Sequence, residues 1–262
     1  MLVAVSINDL ARVTELIERQ GWAIKAIASE LGRGDELCET QVTSGELYFD
    51  DSGRLSWRRL IGDRKPKLTV DFKDPGLLYR VKHGGGRQEL LARAVGVKHH
   101  SVNEPLRVID ATAGLGVDAW IMASLGMEVV MLERVPVMAL LLADGLARVA
   151  EMTNLKLIFG DANQHVTGLS HDGYQVAYLD PMYPSNSSDH AARNQRLRLV
   201  QEAVGQDEDA CMLLKSALTS CHRVVVKRPR HAHALANLPP DWQLTGQSCR
   251  YDLYFTNKHQ LI

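Results

Sequence analysis

From Leu106 onward, short apolar runs alternate with stretches of helical periodicity. Residues 106–110, 128–132, 155–159, 175–179 and 223–226 read as strands. Helices are predicted over 117–124, from Pro136, a favoured first-turn proline, to about Met152, and twice between Asp189 and Ser220. Strands that alternate with helices build a parallel sheet, so the fold class is α/β. Two further strand-like segments, 242–248 and 251–256, have almost no connection between them and must pair as a hairpin, which makes at least one strand antiparallel.

The first seventy or so residues differ in texture. After a short strand, Asn8 is a good N-cap, and Leu10, Val13, Leu16 and Ile17 recur at helical spacing until Gly21 stops the helix. The turn Asp51-Ser52-Gly53 separates 46–50 from 54–60 as a hairpin, and a strand follows over 67–73. This is a small N-terminal α+β domain, 1–73. Next comes a stretch of loop punctuation, Asp74-Pro75-Gly76 and Gly84-Gly85-Gly86, ahead of an amphipathic run from Arg87 to Val95. Residues 74–105 thus read as a lead-in to a second domain, 74–262.

Composition narrows the class. The 262 residues are 45% hydrophobic and 23% charged, which excludes disorder, collagen and coiled coil. The longest apolar run, Pro136 to Ala143, is cut off by Asp144, well short of the roughly 20 residues a spanning helix needs. No membrane association is expected, and with no export signal at the start a cytoplasmic location follows. The cysteines Cys38, Cys211, Cys221 and Cys249 include no Cys-x-x-Cys pair, so neither a disulfide framework nor a zinc site is expected, and the thiols read as reduced and mostly buried. A formal charge of −1 leaves nucleic-acid binding to local patches. Arg54, Arg58, Arg59, Arg64, Lys65 and Lys67 face only Asp63 in their own stretch, and Arg223, Lys227, Arg228 and Arg230 have no acidic neighbour in theirs. Each run reads either as a phosphate contact or as an ordinary solvated face.

Candidate chemistry begins where the first sheet strand ends. In Val108-Ile109-Asp110-Ala111-Thr112-Ala113-Gly114-Leu115-Gly116-Val117-Asp118-Ala119 a strand runs into glycines and then a helix. Gly114 and Gly116 let the backbone approach a ligand, and the helix start presents free N–H groups. The spacing also fits the dinucleotide fingerprint, so it does not separate NAD from other adenosine cofactors. Glu133 ends the next strand, where an acid can accept both ribose hydroxyls, or merely be solvated. Asp161 follows the third strand, placed either to bond an adenine amino group or to cap a helix.

Tyr178-Leu179-Asp180-Pro181-Met182-Tyr183-Pro184, after the fourth strand, separates the cofactors. An exocyclic amine on a base is a poor nucleophile because its lone pair is delocalised into the ring. An enzyme alkylating it must therefore hold acceptors against its N–H groups. Asp180 and the Pro181 carbonyl can do this, the two prolines fix the loop, and Tyr183 offers a face for stacking an extruded base.

With these residues in view, 106–262 resembles the class I S-adenosylmethionine-dependent methyltransferases, with Asp180-Pro181-Met182-Tyr183 similar to their [Asp/Asn]-Pro-Pro-[Tyr/Phe] motif and Met182 in the place of its second proline. Asp110 to Gly116, Met131-Leu132-Glu133-Arg134, Leu179 to Pro184, and Val70-Asp71-Phe72 leading to Gly84-Gly85-Gly86-Arg87 together resemble the bacterial small-subunit rRNA methyltransferase J family, the 16S rRNA (guanine(1516)-N2)-methyltransferases. The resemblance implies a Rossmann-like class I methyltransferase sheet, S-adenosyl-L-methionine as cofactor, and 16S rRNA or the small ribosomal subunit particle as partner; nothing in the sequence argues for a dimer, so a monomer is expected. It implies cofactor contacts at Val117, Asp118, Glu133, Arg134, Asp161, Ala162 and Asp180, beside the turn residues Asp110, Gly114 and Gly116. Asp180, Pro181 and Tyr183 are the catalytic set. Family members often carry arginine where Val117 stands and small hydroxyl residues at 161 and 162, which leaves backbone contacts at 117 and 162. The loop from Lys82 to Arg87 is expected to cover the cofactor, with Gly84 to Gly86 mobile. No metal is required.

Three rivals remain at this level: an NAD-dependent oxidoreductase, an amine methyltransferase of another RNA or DNA base, and a non-catalytic RNA-binding assembly factor on the same scaffold. The first is weakened because the chain after Pro184 is short for a substrate domain. His231 and His233 lack partner carboxylates, and Trp57 suits packing between the domains better than stacking on RNA.

Overall fold

Residues 2–29, 45–59, 66–97, 104–182 and 209–256 are described by a computed structural model. They fall into two compact units. The first comprises the chain up to Asp71 together with Arg134–Ala150; the second begins at Phe72, leaves at Glu133, resumes at Glu151 and includes the C-terminal strands.

In the first unit the sheet order is β2-β1-β3-β4-β5, with β1 Leu2–Ser6, β2 Lys25–Ser29, β3 Glu46–Phe49, β4 Leu55–Arg58 and β5 Lys67–Thr69. β1 runs parallel to both β2 and β3, while β3, β4 and β5 form an antiparallel meander. Helix α1, Leu10–Gln20, buries Val13 and Ile17 and ends at Gly21, whose φ of 65° is the left-handed cap that glycine adopts freely. The helix starts after Asp9 rather than at Asn8, because Ile7–Asp9 form a 3-10 turn first. β2, a parallel strand with no turn signal beside it, was not expected. Helix α5, Pro136–Ala147, packs on α1, β1 and β4, and every residue from Val137 to Ala143 is buried. The apolar run too short for a membrane is thus a core helix of this unit, apolar on all sides because no side faces water. Trp57 is buried on β4 within this unit, which removes it as a stacking surface for RNA.

The second unit holds the sheet β11-β12-β10-β9-β6-β7-β8. Its strands are β6 Arg107–Asp110, β7 Glu128–Glu133, β8 Leu155–Phe159, β9 Val176–Leu179, β10 Arg223–Pro229, β11 Trp242–Thr245 and β12 Cys249–Phe255. The β8-β7-β6-β9-β10 pairings are parallel, and β12 is antiparallel to both β10 and β11, which is the hairpin expected from its short connection. Ile109, Val130, Leu132, Ala177, Leu179, Val224 and Val226 line one face of this sheet. They pack with Val166 of α6, Ala162–His171, and with Leu214 and Ala217 of α7, Ala210–Ser220. α7 occupies the second helix position expected before Ser220; the first, after Asp189, lies outside the described residues.

The lead-in is helical where a loop was expected. Helix α2 spans Pro75–His83; the Asp74 carboxylate accepts the Leu77 N–H at 3.1 Å, Pro75 takes the first turn, and Gly84 closes the helix. Asp-Pro-Gly reads as a turn, but an N-cap followed by proline is also a helix start. Gly85, with φ of 99°, then caps a 3-10 turn, Gly86–Gln88, leading to α3, Leu90–Val95. β6 lies between β7 and β9, so the strand order reverses direction at its C-terminal end. Open α/β sheets bind ligands at that crevice.

Candidate active site

The C-terminal edge of this sheet carries polar residues from five strands: Asp110 and Glu133 end β6 and β7, Asp161 and Asp180 follow β8 and β9, and Lys227 lies within β10 just past the Val226–Leu179 pair. The glycine turn after β6 is pinned on both sides. The Ala111 N–H donates to the Tyr178 carbonyl at 2.9 Å and the Ala113 N–H to the Leu132 carbonyl at 3.3 Å. Gly114 and Gly116 adopt φ of 55° and 71°, a region that costs side-chain-bearing residues about 1 kcal/mol or more. Gly116 caps helix α4, Val117–Ser124. Glu133 is nearly buried, and its Oε2 accepts the Gly114 N–H at 3.1 Å, so the acid expected at the second strand end is held against the turn. Val117 opens α4 as an exposed aliphatic side chain.

Asp110, Asp118 and Asp180 form an acidic cluster around one ammonium. Lys227 on β10 donates to Asp118 Oδ2 and Asp180 Oδ2, both at 2.7 Å. The register that pairs Val226 with Leu179 puts Lys227 level with Asp180 on the neighbouring strand. The Tyr178 hydroxyl donates to Asp118 Oδ2 at 2.6 Å, and Arg80 of α2 stands 3.8 Å from Asp118 Oδ1 while bound to Glu89. The Asp180 N–H donates to Thr112 Oγ1 at 2.6 Å, which ties the loop after β9 to the glycine turn. Among the described residues no partner engages Asp180 Oδ1, which leaves that oxygen available as an acceptor.

Electrostatics separates the three carboxyls. Burial pushes Asp110 up to about 8, against the Thr112 N–H bond, so near neutrality it is largely the uncharged acid. Burial also acts to raise Asp118, but the Lys227 charge and the bonds from Lys227 and Tyr178 outweigh it and hold its carboxyl below the ordinary value. Burial raises Asp180 despite Lys227. For Lys227 itself, burial works against the charge, and Asp118 and Asp180 overcome it, leaving a pKa above the usual lysine value.

The remaining expected residues are placed less tightly. Asp161 caps α6, its Oδ1 accepting the Asn163 N–H at 2.9 Å, so the capping alternative is what the side chain does here. Ala162 is the buried first residue of that helix. Arg134 follows β7 directly and clusters with the first unit. Pro181 is buried behind Asp180, and Tyr183 lies outside the described residues.

Among the described residues most cations of the two basic runs are paired, while Arg64 and Lys65 lie outside those residues and Arg230 is exposed. Arg54 binds Asp50 and Asp71, Arg58 binds Glu46, and Lys67 lies 3.5 Å from Asp50, all partners outside the stretch in which the charges were counted. In the second run, Lys227 belongs to the acidic cluster and Arg228 is buried, donating to the His233 carbonyl at 2.9 and 3.1 Å. Arg223 lies over the Phe255 ring and donates to the Ala94 carbonyl at 3.4 Å. Of the described thiols, Cys221 is buried as expected, with its pKa pushed up to about 11 by burial, Cys249 is partly buried, and Cys211 departs from expectation in being exposed. Sequence reasoning missed Lys227, Tyr178, Thr112 and Arg80 as members of the site. The available signal for Lys227 was its place at the end of the apolar run Val224-Val225-Val226, level with the other strand-end polar residues.

A family model for SAM-dependent methyltransferases matches residues 35–256. The ribosomal RNA small subunit methyltransferase J of Stutzerimonas stutzeri is 37% identical over 261 residues, covering 97% of this chain and 98% of that protein. Its counterpart in Hahella chejuensis is 42% identical over 241 residues, covering 90% and 86%. The chain belongs to the ribosomal RNA small subunit methyltransferase J family. A solved SAM-dependent methyltransferase from Neisseria gonorrhoeae is similar in fold, with a TM-score of 0.69 at 29% identity over 98% of this chain and 96% of that one. The sheet of this methyltransferase J chain is the class I sheet expected, with its glycine turn at the strand-order reversal. No helix of the described residues is long and apolar enough to cross a membrane.

Proposed function

We propose that this chain carries a methyl group from S-adenosylmethionine to the exocyclic N2 of a guanine in 16S rRNA, at the 1516 position that its family resemblance names, acting as a cytoplasmic monomer on the RNA or on the small-subunit particle. The observation that carries this reading is Asp180. It is fixed at the switch-point edge by Thr112 of the glycine turn and by Lys227, with an oxygen still available to accept.

The residues present fit the cofactor. Gly114 and Gly116 leave α4's first turn open to a ligand backbone or carboxylate, and the anchored Glu133 offers acceptors for ribose hydroxyls. Bound S-adenosylmethionine supplies an electrophilic methyl on a sulfonium centre. The chain's own residues do the rest by positioning. Asp180 Oδ1 and the Pro181 carbonyl accept the two amine N–H groups, which turns the nitrogen lone pair toward the methyl. Once methylated, the nitrogen is strongly acidic, so the Asp180 carboxylate, whose pKa burial raises, takes its proton without being a strong base. Pro181, with its φ locked, narrows the conformations open to the loop that presents these acceptors.

Replacing Asp180 with Ala should remove turnover by about a thousandfold or more, with cofactor binding weakened but detectable by calorimetry. Full activity in D180A would overturn the assignment.

A further inference from the structure

We propose that Lys227 is a positioning residue for methyl transfer: its ammonium ties Asp180 of the amine loop to Asp118 of the cofactor helix, aiming the acceptor oxygen and keeping it charged. This rests on the reading of Asp180 as the amine acceptor.

The geometry is that of a bridge. Two 2.7 Å contacts join one nitrogen to carboxylates on different elements, α4 and the loop after β9, and Tyr178 completes the hydrogen bonding of the shared Asp118 oxygen. Lysine in a solvated patch would hold neither so closely. With Oδ2 of Asp180 taken by Lys227, the free rotation of the carboxylate is lost and Oδ1 is left for the substrate. The same bridge couples the first turn of α4, where a cofactor is held, to the loop that receives the base.

Charge makes the bridge necessary. The groups facing Asp180 are Asp110 on β6, Asp118 on α4, Tyr178 on β9, and Lys227 and Arg228 on β10; through Asp118 and Lys227 come Tyr251 on β12 and Arg80 on α2. Of these, Lys227 alone is a cation within hydrogen-bond distance of the Asp180 carboxylate among the described residues. Without it, Asp118 and Asp180 would repel each other unscreened by a bound cation, and the proton affinity of the pair would rise. A protonated Asp180 donates where it should accept.

The test is Lys227→Met, with Lys227→Arg as the conservative variant. For K227M the expected result is a loss of about 100-fold in single-turnover rate at neutral pH, with the RNA KM within about threefold. The acid limb of its pH profile should move to higher pH, so that raising the pH recovers part of the rate; K227R should recover most of it at neutral pH. An independent readout needs no turnover. Carboxyl 13C NMR of the protein alone should show Asp180 titrating at higher pH in K227M than in the wild type, with that resonance assigned by its disappearance in D180N. If K227M does not fold, K227M combined with Asp118→Asn removes the orphaned charge, and Asp180 should still titrate above its wild-type position. An unshifted titration together with an unshifted acid limb would overturn the bridge. The titration stands whether or not the labelled base proves to be guanine, so failure of the bridge and failure of the substrate assignment are read separately.

Discussion

Two ion networks in this chain use the same residue types and behave oppositely. In the first unit, Lys67, Asp50, Arg54, Asp71, Arg148 and Asp144 form a chain of alternating sign, each cation between or beside carboxylates, with the basic side chains partly in water. At the sheet edge of the second unit, Lys227 bridges the buried Asp118 to Asp180 beside the buried Asp110, while the Lys227 and Asp180 side chains keep 26% and 40% of their surface exposed. The first is balanced and serves the fold, since Asp50 also closes the β3–β4 turn and Asp144 accepts the Leu55 N–H. The second holds an excess of acid in a place where acid is costly. Such an arrangement weakens folding and persists where the carboxyls do something else, here accepting from an amine.

Breaking each network should separate them. The largest contrast lies in turnover: K227M should lose about 100-fold, whereas Arg54→Met should leave methyl transfer within about twofold. Next is pH. Burial works against Asp50's charge, but the bonds from Arg54 and Ser52 outweigh it and hold the carboxyl below its ordinary value. Its stabilisation is therefore present above the unfolded pKa and is lost as pH falls through the folded one. Asp110 has the opposite sign. Its folded pKa, near 8, lies above its unfolded value, so its effect is to drain stability as pH rises from the unfolded pKa toward 8. Thermal melts of Asp110→Asn should therefore gain on the wild type steadily from about pH 5 to about pH 8, and a constant difference would show that Asp110 is ordinary. Asp144→Ala, which strands the Leu55 amide, should cost about 1–2 kcal/mol in denaturant melts. Arg54→Ala should cost about 1 kcal/mol or less, since its side chain is 31% exposed.

Much of this was legible in the residue order because its causes are local. Glycines at 114 and 116 follow an apolar strand, Glu133 and Asp180 end apolar runs, and the C-terminal hairpin has too short a link to cross over. What failed to show depends on partners distant in sequence. Lys227 sits 109 residues from Asp118, so counting charges within its own stretch made it a surface cation when it is the counter-ion of the site. The ion pairs of the basic hairpin were hidden for the same reason, their carboxylates lying at 46, 50 and 71. Helix α2 was hidden differently: Asp74 and Pro75 suit a turn and a helix start equally, and only the packing of the following residues decides.

The central claim is methyl transfer to a guanine amine of small-subunit rRNA. Its most direct test is to incubate the protein with methyl-labelled S-adenosylmethionine and small-subunit particles from cells lacking it, then digest the RNA and identify the labelled nucleoside. The account predicts N2-methylguanosine in 16S rRNA; label in a different nucleoside, or none despite measurable cofactor binding, would contradict it.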